Sequence, residues 1–169
     1  MTIVPKHLFQ CRCGRVAYEA TGAPIACVAC YCEDCQAGSR QIEALANAGP
    51  VREVDGGTLY VLFRKDRVMC SKGTELLQIQ KLDAKFATNR VVATCCHSAM
   101  AMTFDDVRHW TPMYRARFTG PAPPLQMRIC TKFKPEGAEL RSDVPQYASY
   151  PLGFLGKLLV ARIAMLVRR

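Results

Sequence analysis

The sequence lacks the features of several well-known protein classes. No segment reaches the run of about twenty apolar residues that a membrane-spanning helix needs. The first residues, MTIVPKHLFQCRCG, lack the apolar stretch of a secretory signal, so we expect a protein of the reducing cytoplasm. Basic residues are scattered, and no basic helix with interleaved aromatic residues occurs, so we do not expect a specific nucleic-acid reader.

The composition instead indicates a folded domain that is rich in cysteine. Half of the 169 residues are hydrophobic and 22% are charged, which is typical of globular domains. Ten cysteines are present, and in a reducing compartment clustered cysteines are metal ligands or redox groups more often than disulfides. The formal charge of +9 favours anionic small molecules, nucleic acid or acidic lipid, without choosing among them.

Residues 1–120 are dominated by short segments of β-forming or alternating residues that are separated by turns. We predict strands over 15–20, 24–31, 58–63, 67–71, 74–82, 89–96, 99–104 and 113–118. A short helix is predicted over 33–49, with Asp34 as its cap and Gly49-Pro50 as its end. These patterns together predict a mainly β domain.

A proline-containing extension (121–149) and a C-terminal amphipathic helix (150–169) are predicted to follow. One apolar face of this helix is formed by Leu152, Leu155, Leu159, Ile163 and Leu166. The basic residues Lys157, Arg162 and Arg169 lie opposite. The helix is expected either to pack on the sheet core or to lie on an anionic membrane surface.

Two cysteine clusters have the spacing of metal ligands. In the C-x-C-G motif at 11–14, Cys11 and Cys13 can bind one zinc from a tight turn, which makes half a site. In the C-x-C-x2-C motif at 30–35, Cys30, Cys32 and Cys35 can occupy three corners of a zinc tetrahedron. A fourth protein ligand would make that site structural, whereas water or substrate would leave an open Lewis acid.

The remaining cysteines leave alternatives open. Cys27 should lie on the opposite strand face from Cys30 unless the strand bends, which argues against a shared metal. The pairs Cys27/Cys30 and Cys32/Cys35 are both C-x-x-C, so a thiol redox protein is a further hypothesis. Cys70 and Cys130 stand alone and are interpreted as small apolar side chains.

Cys95 and Cys96 form a third group, and the neighbouring His97 is a candidate nitrogen ligand. The order of the motifs resembles that of the glutathione-dependent formaldehyde-activating enzymes and their centromere-protein-V-like relatives. The resemblance covers roughly residues 9–104 and rests on CRCGRVAYEATG, CYCEDCQAGS and TCCHSAM. It implies a small tent-like β fold of stacked antiparallel sheets that is stabilised by zinc.

The resemblance also implies one or two bound Zn²⁺ ions per chain. The structural zinc would be held by Cys11, Cys13, Cys95 and Cys96. The open, catalytic zinc would be held by Cys30, Cys32 and Cys35. Four positions depart from the family pattern. Ala93 replaces a cysteine of the later C-x2-C, for which Cys95 is the candidate substitute, and Tyr31 replaces the customary histidine. His97 and Ala99 replace the usual glycine and proline.

The function implied is that of a carbon–sulfur lyase acting on thiol–aldehyde adducts such as S-hydroxymethylglutathione, with glutathione as the thiol partner. Acid or base candidates, chosen by proximity only, are Tyr31, Glu33, Asp34 and His97. The alternative is a non-catalytic, zinc-stabilised interaction module, because several thiolates donate negative charge to zinc and weaken it as a Lewis acid. The sequence makes no prediction about the oligomeric state.

Overall fold

The computed structural model describes residues 4–167. Within this range the strands are β1 (Lys6–Gln10), β2 (Ala17–Thr21), β3 (Ala26–Cys30), β4 (Thr58–Arg64), β5 (Val68–Lys72), β6 (Leu77–Gln80), β7 (Thr88–Ala93), β8 (Ser98–Phe104), β9 (Trp110–Tyr114) and β10 (Met127–Ile129). The α-helices are α1 (Glu33–Glu43) and α2 (Leu152–Val167).

The strands form two sheets, and the predicted mainly β fold with a C-terminal helix is confirmed. A three-stranded antiparallel sheet has the order β1-β2-β5, and a seven-stranded sheet has the order β10-β3-β4-β9-β8-β7-β6. Neighbours in the larger sheet are antiparallel, except that β10 pairs with β3 in parallel. The chain reaches this position only after residue 120, so the extension 121–149 contributes an edge strand to the sheet.

Alternation along the central strands produces the layered arrangement. One face of β3 and β4 presents Cys27, Val61 and Phe63, which pack with Phe9 and Ala20 of the small sheet. The other face presents side chains that pack against both α-helices: Val28, Cys30, Tyr60 and Leu62. The larger sheet is therefore covered by the small sheet on one side and by the helices on the other.

Several predicted element boundaries are wrong. Helix α1 ends at Glu43 rather than at 49, because the chain turns afterwards and Asn47 adopts a left-handed conformation (φ 59°). Its N-cap is Cys32 rather than Asp34, and the Cys32 sulfur accepts a hydrogen bond from the amide of Cys35. Residues 115–117 form a 3-10 turn after β9 instead of continuing the predicted strand.

Two further strand predictions extend too far, and two strands were not predicted. The segments predicted as 74–82 and 89–96 are strands only at β6 and β7. The turn that follows β7 places His97 in a left-handed conformation (φ 49°). The unpredicted strands are β1 and β10, whose few residues show no clear alternation.

Helix α2 packs on the sheet core, but through a different face from the one predicted. Phe154, Leu158 and Ala161 are buried, and the Nε2 atom of His109 donates to the carbonyl of Leu158 at 2.7 Å. The predicted contact residues are exposed by 45–86%: Leu152, Leu155, Leu159, Ile163 and Leu166. The helix is apolar on both sides, so periodicity alone could not identify the buried side. The predicted position of Arg169 lies outside the described residues.

No helix in residues 4–167 is long and apolar enough to cross a bilayer.

Candidate metal centres

Four cysteines from two distant turns converge at one edge of the fold. The sulfur of Cys13 lies 3.5 Å from that of Cys11 and 3.3 Å from that of Cys95, and the Cys95 and Cys96 sulfurs are 4.0 Å apart. All four sulfurs lie within 4.8 Å of one another. A zinc–sulfur bond of about 2.3 Å puts the corners of a tetrahedron about 3.8 Å apart, so this group has the dimensions of a four-thiolate zinc site.

The surroundings of this four-cysteine centre favour thiolates. The amide of Val16 donates to the Cys11 sulfur at 3.2 Å, and the Ser98 hydroxyl lies 3.1 Å from the Cys96 sulfur. Hydrogen bonds from Arg15 lower the pKa of Cys13 to about 6, and the bond from its backbone contributes more than the bond from its side chain. Burial and the neighbouring thiols raise the pKa of Cys95 to about 12. A metal ion bound by these sulfurs would favour the deprotonated form of all four thiols, because each ligand thiol must lose its proton to coordinate.

His97 is not part of this centre. Its Nδ1 atom donates to the carbonyl of Ala46 at 2.6 Å, on the far side of the turn. The predicted Cys95 and Cys96 instead complete the group with Cys11 and Cys13. Four sulfur ligands are therefore available without a nitrogen ligand.

The second centre is formed where β3 leads into α1. Cys30 ends the strand, Cys32 caps the helix and Cys35 lies in its first turn, and the three sulfurs lie within 4.8 Å of one another. Hydrogen bonds from the Cys30 and Cys35 thiols lower the pKa of Cys32 to about 3. The helix N-terminus adds partial positive charge at the same place, which also favours a thiolate.

Arg90 supplies a buried positive charge beside this three-cysteine centre. The side chain is 1% exposed, its Nη2 atom donates to the carbonyl of Asp34 at 2.5 Å, and its charge contributes to the low pKa of Cys32. Within residues 4–167 no carboxylate forms an ion pair with it, and its Nε atom has no hydrogen-bond partner. Zinc with three thiolates carries one net negative charge, which this guanidinium would balance. The donor set and its surroundings therefore fit zinc.

Cys130 was interpreted as an isolated apolar residue, but it lies beside the three-cysteine centre. The parallel pairing of β10 with β3 places Ile129 opposite Cys30, and Cys130 follows in a left-handed conformation (φ 59°). Hydrogen bonding with the Cys30 thiol lowers the pKa of Cys130. It falls outside the group whose sulfurs are all mutually within 4.8 Å. No local sequence signal could have found it, since the contact depends on strand pairing.

The two remaining cysteines take no part in either centre. Cys27 packs in the layer between the sheets, on the face opposite Cys30, as strand alternation predicted. Thiols on opposite faces of a strand cannot form a disulfide without backbone movement, so the Cys27/Cys30 redox pair is not supported. Cys70 is half-buried in β5, where its thiol donates to the carbonyl of Lys72.

A cavity of about 360 Å³ lies between the larger sheet and α2, and the three-cysteine centre forms one end of it. Asp34 and Arg90 also line the cavity. The other walls are mostly apolar, with Leu62, Met102, Phe104, Trp110, Phe154 and Leu158. Tyr150 also lines the cavity. Burial is the larger cause and the charge of the nearby cysteines the smaller cause of a raised pKa of its hydroxyl, which therefore stays neutral.

The predicted acid and base candidates occupy different places. Tyr31 is buried and its hydroxyl donates to an Asp55 carboxylate oxygen at 2.8 Å, so it is engaged away from the cavity. Glu33 is exposed, and His97 belongs to the turn of the other centre. Asp34 is the one of the four that lines the cavity.

Comparisons with known proteins add little. No protein-family model matches the chain, so its resemblance to formaldehyde-activating enzymes stays a prediction. No curated protein is significantly similar to it. The crystal structure of a Rhodobacter sphaeroides protein, a structural-genomics target, is 14% identical and has a TM-score of 0.47. This match covers 82% of the present chain and 98% of the other, and so distant a likeness carries no functional information.

Proposed function

We propose that this protein is a zinc-dependent carbon–sulfur lyase that acts on thiol–aldehyde adducts at the three-cysteine centre. The observation that carries the proposal is that Cys30, Cys32 and Cys35 form one end of a cavity large enough for a small molecule. The four-cysteine centre has a complete set of thiolates, so we assign it a structural role. We therefore assign the two sets of thiolates different roles, because the three-cysteine centre lines this cavity.

The residues around the cavity have distinct parts in this reaction. Zinc bound there would lower the pKa of a substrate thiol and hold its sulfur near the aldehyde carbon. When the carbon–sulfur bond of the adduct breaks, the electron pair leaves with sulfur and the hydroxyl proton must be taken up. Asp34, an exposed residue of α1, is the acidic residue among those that line the cavity, and its carboxylate would accept this proton. Arg90 would offset the negative charge that accumulates on the sulfurs.

A non-catalytic, zinc-stabilised module is the second candidate, and the position of Cys130 favours it. A modest movement of this residue toward the group would give four thiolates and a closed site. The zinc would then have no position for a substrate. The two proposals therefore differ in the number of sulfur ligands.

X-ray absorption on the zinc-loaded protein tests both. With an open site the average sulfur count per zinc is below four, and Cys130→Ser leaves it unchanged. With a closed site the average is four, and Cys130→Ser lowers it, which would contradict the lyase.

Activity supplies the independent test. Release of aldehyde from thiol adducts should be lost in Cys32→Ser and retained in Cys27→Ser, because Cys27 lies on the opposite strand face. Equal loss in both variants would indicate a general effect on folding.

A further inference from the structure

The cavity at the three-cysteine centre has few free polar groups for a charged substrate. Arg90 already faces the cysteines, and the other arginine of the lining, Arg108, pairs with Asp106 at 2.7 Å and stacks on Phe104 at 3.6 Å. Glutathione carries two carboxylates and an ammonium group. Burying those charges against apolar walls without partners would cost more than the contacts return.

The apolar walls instead match an uncharged hydrophobic body. Trp110 and Phe104 pack edge to face, with ring centroids 6.0 Å apart, and Phe154 and Leu158 cover the cavity from α2. We infer that the substrate of this centre is a thiol, or its aldehyde adduct, with an alkyl or aromatic body rather than a charged peptide. This inference rests on the proposed function, because the substrate sulfur must reach the metal.

A series of thiols tests this inference on the cobalt-substituted protein, where sulfur binding is read from the charge-transfer band. Ethanethiol, butanethiol and hexanethiol should bind with increasing affinity, about threefold to fourfold per added methylene. Glutathione should bind more weakly than butanethiol. In Leu155→Asp, which places a carboxylate at the cavity wall, hexanethiol binding should fall about tenfold. Leu159→Asp, on the outer side of the same helix, is the matched control and should change nothing.

The outcomes separate the inference from the proposed function. Glutathione binding as tightly as hexanethiol would overturn the apolar substrate class and leave the open centre intact. If no thiol changed the cobalt spectrum, the open centre would be contradicted, and the inference would fall with it.

A different observation carries a second inference, which concerns the side of α2 that faces away from the core. Exposed apolar side chains cover this side with little interruption, and we call it the outer face of α2. It consists of Leu152, Leu159, Val160, Ile163, Leu166 and Val167, which are 52–86% exposed. A patch of this kind on a folded protein marks a docking surface.

Charge indicates what covers the outer face. Helix α2 contains no acidic residue. Its basic residues Lys157 and Arg162 lie at the borders of the outer face rather than opposite it, and they donate to the Gln126 side chain and to the carbonyl of Val107. Lys65, which follows β4, lies close to His109, and His109 contacts the same helix. An apolar helix face with basic borders is the arrangement of interfacial helices on anionic bilayers. We propose that the outer face of α2 binds an anionic membrane surface.

Sedimentation with lipid vesicles tests the membrane proposal. The protein should bind vesicles that contain phosphatidylglycerol and should bind pure phosphatidylcholine vesicles at least about tenfold more weakly. Ile163→Glu should weaken binding by tenfold or more, because a large apolar side chain leaves the membrane. Val54→Glu, which changes a fully exposed valine far along the chain, is the matched control and should retain binding.

Two results would overturn the membrane proposal. One is the absence of binding to either kind of vesicle. The other is a dimer in analytical ultracentrifugation that Ile163→Glu dissociates and Val54→Glu does not, which would assign the outer face to a second copy of the chain.

Discussion

Replacing Gly38 by alanine tests whether α1 and the buried guanidinium of Arg90 are locked together. A Cβ atom at position 38 would lie 2.6 Å from Arg90 Cδ and closer still to Nε and Cζ. The arginine would have to move, and its 2.5 Å hydrogen bond to the carbonyl of Asp34 would be lost or distorted. The substitution therefore displaces the positive charge beside Cys32 without removing it.

The expected magnitude follows from three contributions. Alanine in place of a helical glycine gains about 1 kcal/mol. Overpacking of the buried site costs about 1–3 kcal/mol, and loss of a hydrogen bond from a charged donor costs about 1.5–3 kcal/mol. Together these predict that Gly38→Ala destabilises the protein by roughly 1.5–5 kcal/mol.

Urea unfolding of the zinc-loaded protein measures this difference. Gly156→Ala is the matched control, since this helical glycine of α2 has nothing within 4 Å of its missing Cβ and should gain about 0.5–1 kcal/mol. A double-mutant cycle with Arg90→Met should recover most of the loss. The reasoning would be refuted if Gly38→Ala stabilised the protein as Gly156→Ala does.

Three further predictions concern the metal centres, a buried histidine and a loop. Cys13→Ser and Cys32→Ser should each lose one zinc per chain by metal analysis, whereas Cys70→Ser should keep both. Burial lowers the folded-state pKa of His109 below its ordinary value of about 6.5, so stability should fall as pH drops below about 6.5, and less so in His109→Gln. Burial raises the pKa of Glu43, but its hydrogen bonds to the following loop more than offset this, so its carboxylate stabilises the fold above about pH 4.3. Glu43→Gln should accordingly cost about 1–3 kcal/mol in urea unfolding at pH 7.

A specific result would contradict each of these three predictions. Loss of both zincs in Cys32→Ser would mean that the centres do not bind independently. Identical pH profiles of the wild type and His109→Gln would mean that this imidazole is not perturbed by burial. Unchanged stability of Glu43→Gln would mean that a neutral amide holds the loop equally well.

The sequence predicted those parts of the site that depend on local spacing. The C-x-C-x2-C motif placed Cys30, Cys32 and Cys35 on one short segment, and the structure brings their sulfurs together. Cys11, Cys13, Cys95 and Cys96 could be grouped only through a family resemblance, because the two pairs are far apart in the chain. The hairpin between β7 and β8 places the second pair next to the first.

What the sequence could not predict depends on non-local packing. Arg90 lies in β7, and an arginine is ordinarily exposed. Its burial arises from the space that Gly38 leaves in α1. Cys130 reaches the three-cysteine centre only because β10 pairs in parallel with β3. The buried side of α2 was predicted wrongly for a related reason: a helix that is apolar all round carries no signal for its orientation.

The two centres illustrate how surroundings decide the chemistry of identical ligands. At the four-cysteine centre the thiolates are stabilised by a backbone amide and by the exposed Arg15, and zinc would leave two net negative charges near solvent. At the three-cysteine centre solvent is replaced by a mostly apolar cavity, so an uncompensated charge would be far more costly. Arg90 supplies that compensation from within the core, which leaves a neutral assembly facing the cavity. A fourth thiolate, from Cys130 or from a bound substrate, would add one net negative charge to this assembly.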